Sequence, residues 1–131
     1  MTFVIDASVA ASWCFPDESS AAATRAFERI SRETAFVPAH WWFELRNVLL
    51  VGERRQRLDA LQVDRFLQLV GELPIEIDRS PDEKTIFALA RRHGLTFYDA
   101  AYLELALRYE ALASLDDDLL RAAERERIAS V

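Results

Sequence analysis

Short apolar runs alternate with longer stretches of helical character along this chain. The runs at 2–5, 35–37, 75–77 and 111–114, with a weaker one near 128–129, have the length and composition of strands. Between them, helices are predicted over 17–32, 40–55, 59–71, 81–92, 97–109 and 117–125. The first opens with Asp17-Glu18-Ser19-Ser20, which supplies capping and first-turn chemistry, and continues with Ala-rich helix formers. The segment 81–92 carries a start signal, with Ser80 as N-cap, Pro81 at N1 and Glu83 at N3, and Gly94 as its stop. Strands alternating with helices predict an α/β fold, a three-layer α/β/α sandwich around a mainly parallel central sheet. The expectation is a single domain spanning 1–131.

Four acids interrupt this pattern. Asp6 ends the first apolar run, Glu44 sits inside Trp41-Trp42-Phe43-Glu44-Leu45, Asp99 follows Leu95-Thr96-Phe97-Tyr98, and Asp116 follows Ala111-Leu112-Ala113-Ser114-Leu115. A carboxylate withdrawn from water costs several kcal/mol unless a cation compensates it. In a parallel sheet, ligands collect beyond the carboxyl ends of the strands. Asp6 and Asp116 both follow strands, so both are expected at that edge, with Glu44 a turn or two deeper in the helix after the second strand. Two consecutive helices precede Asp99, and the pattern alone does not bring its helix to the same edge.

Composition narrows the class. The 51% hydrophobic and 29% charged content of these 131 residues fits an ordinary globular protein. No run approaches the roughly 20 apolar residues that span a bilayer, and the first residues lack the basic region of a signal peptide. Cys14 is the only cysteine, which excludes an internal disulfide. The cytoplasm is the expected compartment. A net charge of −6 argues against a nonspecific nucleic-acid coat but not against a nuclease, because carboxylates that hold a divalent cation count as negative in that sum.

Each acid also has a purely structural explanation. Asp6 is a good N-cap for a turn through Ala7-Ser8, Asp99 stands three residues after Thr96 as in a capping box, and Asp116 is a good cap for the last helix, with Asp117 and Asp118 favouring its dipole. Glu44 is the acid that capping does not explain. Its i±3 and i±4 neighbours are His40, Trp41, Asn47 and Val48, so no Arg or Lys of its own helix can pair with it. Its partner is then either a cation shared with the other acids or an Arg from elsewhere. His40 and His93 lack ligand spacing, and the adjacent Trp41 and Trp42 point in different directions on a helix, so that one of them faces either a partner or the rim of the core.

At this point the chain resembles the PIN-domain family, specifically its VapC-type ribonuclease toxins. Phe3-Val4-Ile5-Asp6-Ala7-Ser8-Val9 is similar to the family's opening strand and first acid. The run from Pro38 to Leu49 resembles the helix that carries its Glu, and the run from Leu95 to Ala106 is the most specific match. Leu112-Ala113-Ser114-Leu115-Asp116-Asp117-Asp118-Leu119 resembles the closing motif, although Ser114 stands where Thr is commoner. The resemblance implies a divalent-metal endoribonuclease with Asp6, Glu44, Asp99 and Asp116 at the Mg²⁺ (or Mn²⁺) site. It implies Ser8, Asn47 and Ser114 as supporting polar groups, and Asp117 or Asp118 as a contributor through water or an alternative fourth ligand. It also implies an RNA substrate, a VapB-type antitoxin and a homodimer. The alternative is a catalytically silent PIN-like domain that binds RNA or a partner.

Two other phosphate chemistries fit the residues poorly. A haloacid-dehalogenase-like phosphatase needs a second Asp two residues after the first, where this chain has Ser8. A response-regulator receiver could use Asp78 as acceptor but needs a Lys after its fifth strand, and the sole lysine, Lys84, is misplaced.

Overall fold

The computed structural model describes residues 1–131. Strands β1 (Thr2–Ile5), β2 (Thr34–Val37), β3 (Ile75–Ile77), β4 (Ala111–Ala113) and β5 (Ala129–Ser130) form one sheet in the order β3-β2-β1-β4-β5. Every neighbouring pair is parallel. Helices α1 (Ala7–Ser12), α2 (Ala21–Ile30), α3 (Trp41–Arg54), α4 (Ala60–Glu72), α5 (Glu83–His93), α6 (Phe97–Tyr109) and α7 (Asp117–Arg125) flank it and complete the α/β/α sandwich.

Burial follows position in the sheet. Phe3, Val4 and Ile5 of β1 have no exposed surface, because strands lie on both sides and helices cover both faces. Leu112 and Ala113 of β4 are buried alike, whereas the edge strands β3 and β5 are largely exposed. The buried apolar residues form one cluster of 34. From β1 the chain builds outward to β2 and β3 on one side, then returns to lay β4 and β5 on the other. The switch point therefore lies between β1 and β4, where a crevice opens at the carboxyl ends of the strands. There the Asp6 N–H donates to the Ala113 carbonyl at 3.0 Å.

Several boundaries differ from the sequence pattern for identifiable reasons. The first apolar run leads into a six-residue helix, α1, rather than a turn, and Asp6 caps it by accepting from the Val9 N–H. Helix α2 starts at Ala21, because the Ser20 side chain accepts from the Ala23 N–H and leaves Asp17-Glu18-Ser19 outside. Helix α5 begins at Glu83 with Asp82, not Ser80, in the capping position. Tertiary structure moved that start: the Asp82 N–H donates to Glu104 Oε1 at 2.7 Å, and Asp82 Oδ2 accepts from the Thr85 hydroxyl at 2.8 Å. Gly94 ends α5 as expected, with φ +64° in the left-handed region that glycine adopts without steric cost.

Glu104, inside α6, is a buried acid that the pattern did not single out. Arg108 one turn later donates from Nε to its Oε2 at 2.7 Å. The same guanidinium forks onto both oxygens of Asp78 at 2.9 and 2.8 Å. Asp78 is thereby the partner of a structural arginine, which ties the end of β3 to α6. Hydrogen bonding from Arg108 holds the Asp78 carboxyl below the ordinary carboxylate range.

Candidate active site

Asp6 is set by the strand-to-helix junction. Its backbone continues β1 while its carboxylate turns toward α1, where Oδ1 accepts from the Val9 N–H at 3.1 Å and the Ser8 hydroxyl at 2.6 Å. Oδ2 accepts a short hydrogen bond from the Ser114 hydroxyl. The two serines stitch the ends of β1 and β4 together, since Ser8 Oγ accepts from the Leu115 N–H at 3.1 Å and Ser114 Oγ from the Asp116 N–H at 3.0 Å. Asp6 is only 5% exposed. Burial pushes its carboxyl above the ordinary value, against the hydrogen bonds from Ser114, Ser8 and Val9, and the Asp116 charge pushes the same way.

Asp116 caps α7 by accepting from the Leu119 N–H at 3.0 Å. Capping and proximity to Asp6 are thus compatible, because a cap at the end of β4 necessarily lies at the carboxyl edge of the sheet. Asp99 sits in the first turn of α6, its N–H donating to the capping Thr96 hydroxyl at 3.1 Å. The order of α5 and α6, opaque in the sequence, brings this turn to the same edge. Burial, with Asp116 and Glu44 adding their negative charges, pushes the Asp99 carboxyl up.

Glu44 is held in a way the sequence did not reveal. Its flanking apolar residues do not enclose it: Trp42 is 43% and Phe43 70% exposed, while Trp41 and Leu45 face the core. The Arg guanidinium of Arg46 lies over the Trp42 ring, 3.9 Å from its centroid. The partner of Glu44 is a phenol, with the Tyr102 hydroxyl donating to Oε1 at 2.6 Å. His40 Nε2, buried and without a hydrogen-bond partner, lies 3.5 Å from the same oxygen. Burial lowers the His40 pKa and favours the neutral ring. Burial, reinforced by Glu44, drives the Tyr102 phenol far up, so it remains a donor.

Tyr102 and His40 are the two residues that sequence reasoning missed. The signal was helical spacing, since Tyr102 is i+3 from Asp99 and His40 is i−4 from Glu44. The other supporting candidates divide. Ser8 and Ser114 contact Asp6 directly. Asn47 is exposed and lines a separate cavity with Phe15 and Arg57, and it makes no hydrogen bond to the acids. Asp117 is exposed in the first turn of α7, and Asp118 pairs with Arg121.

None of the four acids forms an ion pair with Arg or Lys. Nor do any three His, Cys, Asp or Glu side chains converge closely enough to coordinate one ion as they stand. Three of the four carboxylates are engaged locally: Asp6 with two serines, Asp116 with its helix, Glu44 with Tyr102. Like charges also drive them apart. The donor set still suits a hard divalent cation, being all oxygen, net negative and partly desolvated, with the lone His40 Nε2 beside it.

Comparison with known proteins bears on this arrangement. A family model described as PIN domain matches residues 3–125. Ribonuclease VapC3 of Pyrobaculum aerophilum is 34% identical over 110 residues, covering 81% of this chain and 82% of that protein. Among solved structures, the crystal structure of PAE2754 from Pyrobaculum aerophilum superposes with a TM-score of 0.71 at 22% identity, covering 93% of this chain and 84% of that one. That of VapC20 from Mycobacterium tuberculosis, a sarcin-ricin loop cleaving toxin, gives 0.62 at 12% identity, covering 92% and 94%. The two structures share the fold. No helix here is long and apolar enough to cross a membrane.

Proposed function

Because this chain belongs to the PIN-domain family, we propose that it is a divalent-metal-dependent endoribonuclease, the toxin of a VapBC-type toxin–antitoxin pair acting in the cytoplasm. The observation that carries this reading is Asp6, a buried carboxylate with no cationic partner, at the strand edge it shares with three further acids. A structural acid so desolvated would normally be paired, as Glu104 is by Arg108. The 34% identity to a protein named as a ribonuclease supports the substrate class.

Asp6, Asp99 and Asp116 are the groups to hold Mg²⁺ or Mn²⁺, with Glu44 binding a second ion or orienting water. A cation bound there supplies Lewis acidity toward the phosphoryl oxygens and lowers the pKa of water. The protein's own residues orient and exclude. Ser8 and Ser114 fix both oxygens of Asp6 so that its lone pairs keep one direction. Tyr102 occupies Glu44 Oε1, leaving Oε2 to accept a hydrogen bond from an attacking water. No side chain need act as a covalent nucleophile, and Cys14, half-buried with its thiol pKa raised by burial, is unsuited to the part.

A nuclease of this kind requires restraint in the cell. The expected inhibitor is a small VapB-type antitoxin whose tail enters the acidic groove, with an Arg reaching the carboxylates. The expected assembly of the toxin is a homodimer. The test is incubation of total cellular RNA with purified protein in Mg²⁺, Mn²⁺ or EDTA, beside Asp6→Asn. Discrete metal-dependent products, reduced by at least about 100-fold in the mutant, are expected. Identical RNA patterns from both proteins in all conditions would replace this reading with a domain that binds RNA or a partner without cutting it.

A further inference from the structure

Beside the acids, between the start of α6 and the exposed face of α7, lies an open cavity of about 460 Å³. Its wall includes Thr96 and Asp99 on one side and Asp118, Arg121 and Arg125 on the other. Asp99 joins this cavity to the acid cluster. Arg121 and Arg125 are four residues apart on α7, so they present their guanidinium groups from one helix face.

These two arginines are not consumed by the fold. Arg125 makes no ion pair. Arg121 pairs with Asp118, but both side chains are mostly exposed, and such a pair holds weakly against a better acceptor. The contrast with neighbouring charges is direct. On the same wall His93 is committed to Glu126 at 2.6 Å, and Glu126 also takes Arg92 at 2.8 Å. The cavity thus offers two available guanidinium groups next to a carboxylate of the candidate active site, on a chain whose net charge is −6.

We infer that Arg121 and Arg125 form a subsite for a backbone phosphate of single-stranded RNA, adjacent to the phosphate that lies at Asp99. This rests on the ribonuclease reading and adds to it the groups that offset repulsion between an acidic protein and a polyanion. The guanidinium fork matches two phosphate oxygens at once, which the Asp118 carboxylate of an exposed pair does not outcompete once the strand is anchored at the acids. Contacts to phosphate position the strand without reading its bases, so the contribution is uniform across RNA sequences.

The test uses the full chain and an RNA that the wild-type protein cleaves. KM is measured over a series of KCl concentrations for wild type, Arg121→Ala/Arg125→Ala, Arg121→Lys/Arg125→Lys and Arg54→Ala. The last removes one charge at the far end of α3, ten residues from Glu44 and therefore roughly 15 Å along the helix. The double alanine variant is expected to raise KM about 10-fold or more, and to flatten the dependence of log KM on log salt by about 0.7, for the one phosphate that the two arginines neutralise. The lysine variant should restore most of the salt slope and only part of the affinity, because it keeps the charge and loses the fork. If the double alanine variant matches Arg54→Ala in KM and salt slope while RNA is still cleaved, the subsite is wrong and the nuclease reading stands. If the wild-type protein cleaves no RNA under any metal, both fall together.

Discussion

Asp6 and Glu104 are buried to nearly the same degree, 5% and 3% exposed, and the protein holds them in opposite ways. Glu104 shares the guanidinium of Arg108 with Asp78 and also takes the Asp82 N–H, so its charge is answered within the chain. Asp6 receives two serine hydroxyls and one N–H, which orient it, but no positive charge. The charge that acts on it, that of Asp116, has the same sign. The hydrogen bonds of Asp6 all donate to it and so suit a carboxylate, but they bring no charge and leave a deficit that a bound cation would remove. An acid paired by the fold belongs to its architecture, and an acid oriented but left uncompensated is the better candidate for chemistry.

That contrast breaks first under substitution. Arg108→Ala leaves Glu104 and Asp78 without their cation and should cost about 3 kcal/mol, the low end of the range for a broken buried pair because the arginine is partly exposed. The melting temperature should fall by about 10 °C, while RNA cleavage at 25 °C stays within a few-fold of wild type. Asp6→Asn should do the reverse. Asparagine caps α1 as well as aspartate does and carries no charge, so melting in EDTA should move upward or not at all, while cleavage is lost. A large drop in stability from Asp6→Asn, comparable to that from Arg108→Ala, would erase the distinction.

Metal gives a smaller and sharper effect. At ten times its Kd, Mg²⁺ or Mn²⁺ should stabilise the wild-type protein by about 1.4 kcal/mol, some degrees in melting temperature, with little shift in Asp6→Asn. Equal shifts in both would place the binding away from Asp6.

The smallest expected effect is the sign of the pH dependence. Asp6 and Asp99 have raised carboxyl pKa values, so in EDTA the unfolded chain gives up these protons first. Their penalty sets in as pH rises past the ordinary carboxylate value and is complete above their folded values. Asp78 is depressed, so its contribution is present above that ordinary value and is lost as pH falls through its folded one. The melting difference between Asp6→Asn and wild type should therefore grow from about pH 4 toward neutrality. The deficit of Arg108→Ala should shrink as the solution is acidified toward and below about pH 4. Parallel curves for the two variants would show that the two acid regions are electrostatically alike.

Much of this was legible from the chain because it depends on local signals. The apolar runs marked β1 to β4 to within a residue or so, and the alternation with helices implied the parallel sandwich. Asp6 and Asp116 could be assigned to one edge because each directly follows a strand. The start of α5 was misread, since Ser80-Pro81 is a good local signal that Glu104, more than twenty residues away, overrides through the Asp82 N–H. The apolar run around Glu44 and the lack of a cation on its own helix single it out, but they do not say what surrounds it. Trp42 and Phe43 point to solvent, and what holds Glu44 is Tyr102, 58 residues later.

The sequence by itself determined the strands, six of the seven helices, the candidate acids and the capping chemistry of Asp6, Thr96 and Asp116, because periodicity and caps are properties of a few consecutive residues. Only the tertiary structure decided that α6 delivers Asp99 to the edge shared by Asp6 and Asp116, that Tyr102 rather than an arginine meets Glu44, and that Arg108 answers Glu104 while nothing answers Asp6. Those are pairings between distant segments. Which charges end up compensated depends on how helices and strands stack, and a short-range pattern carries no record of it.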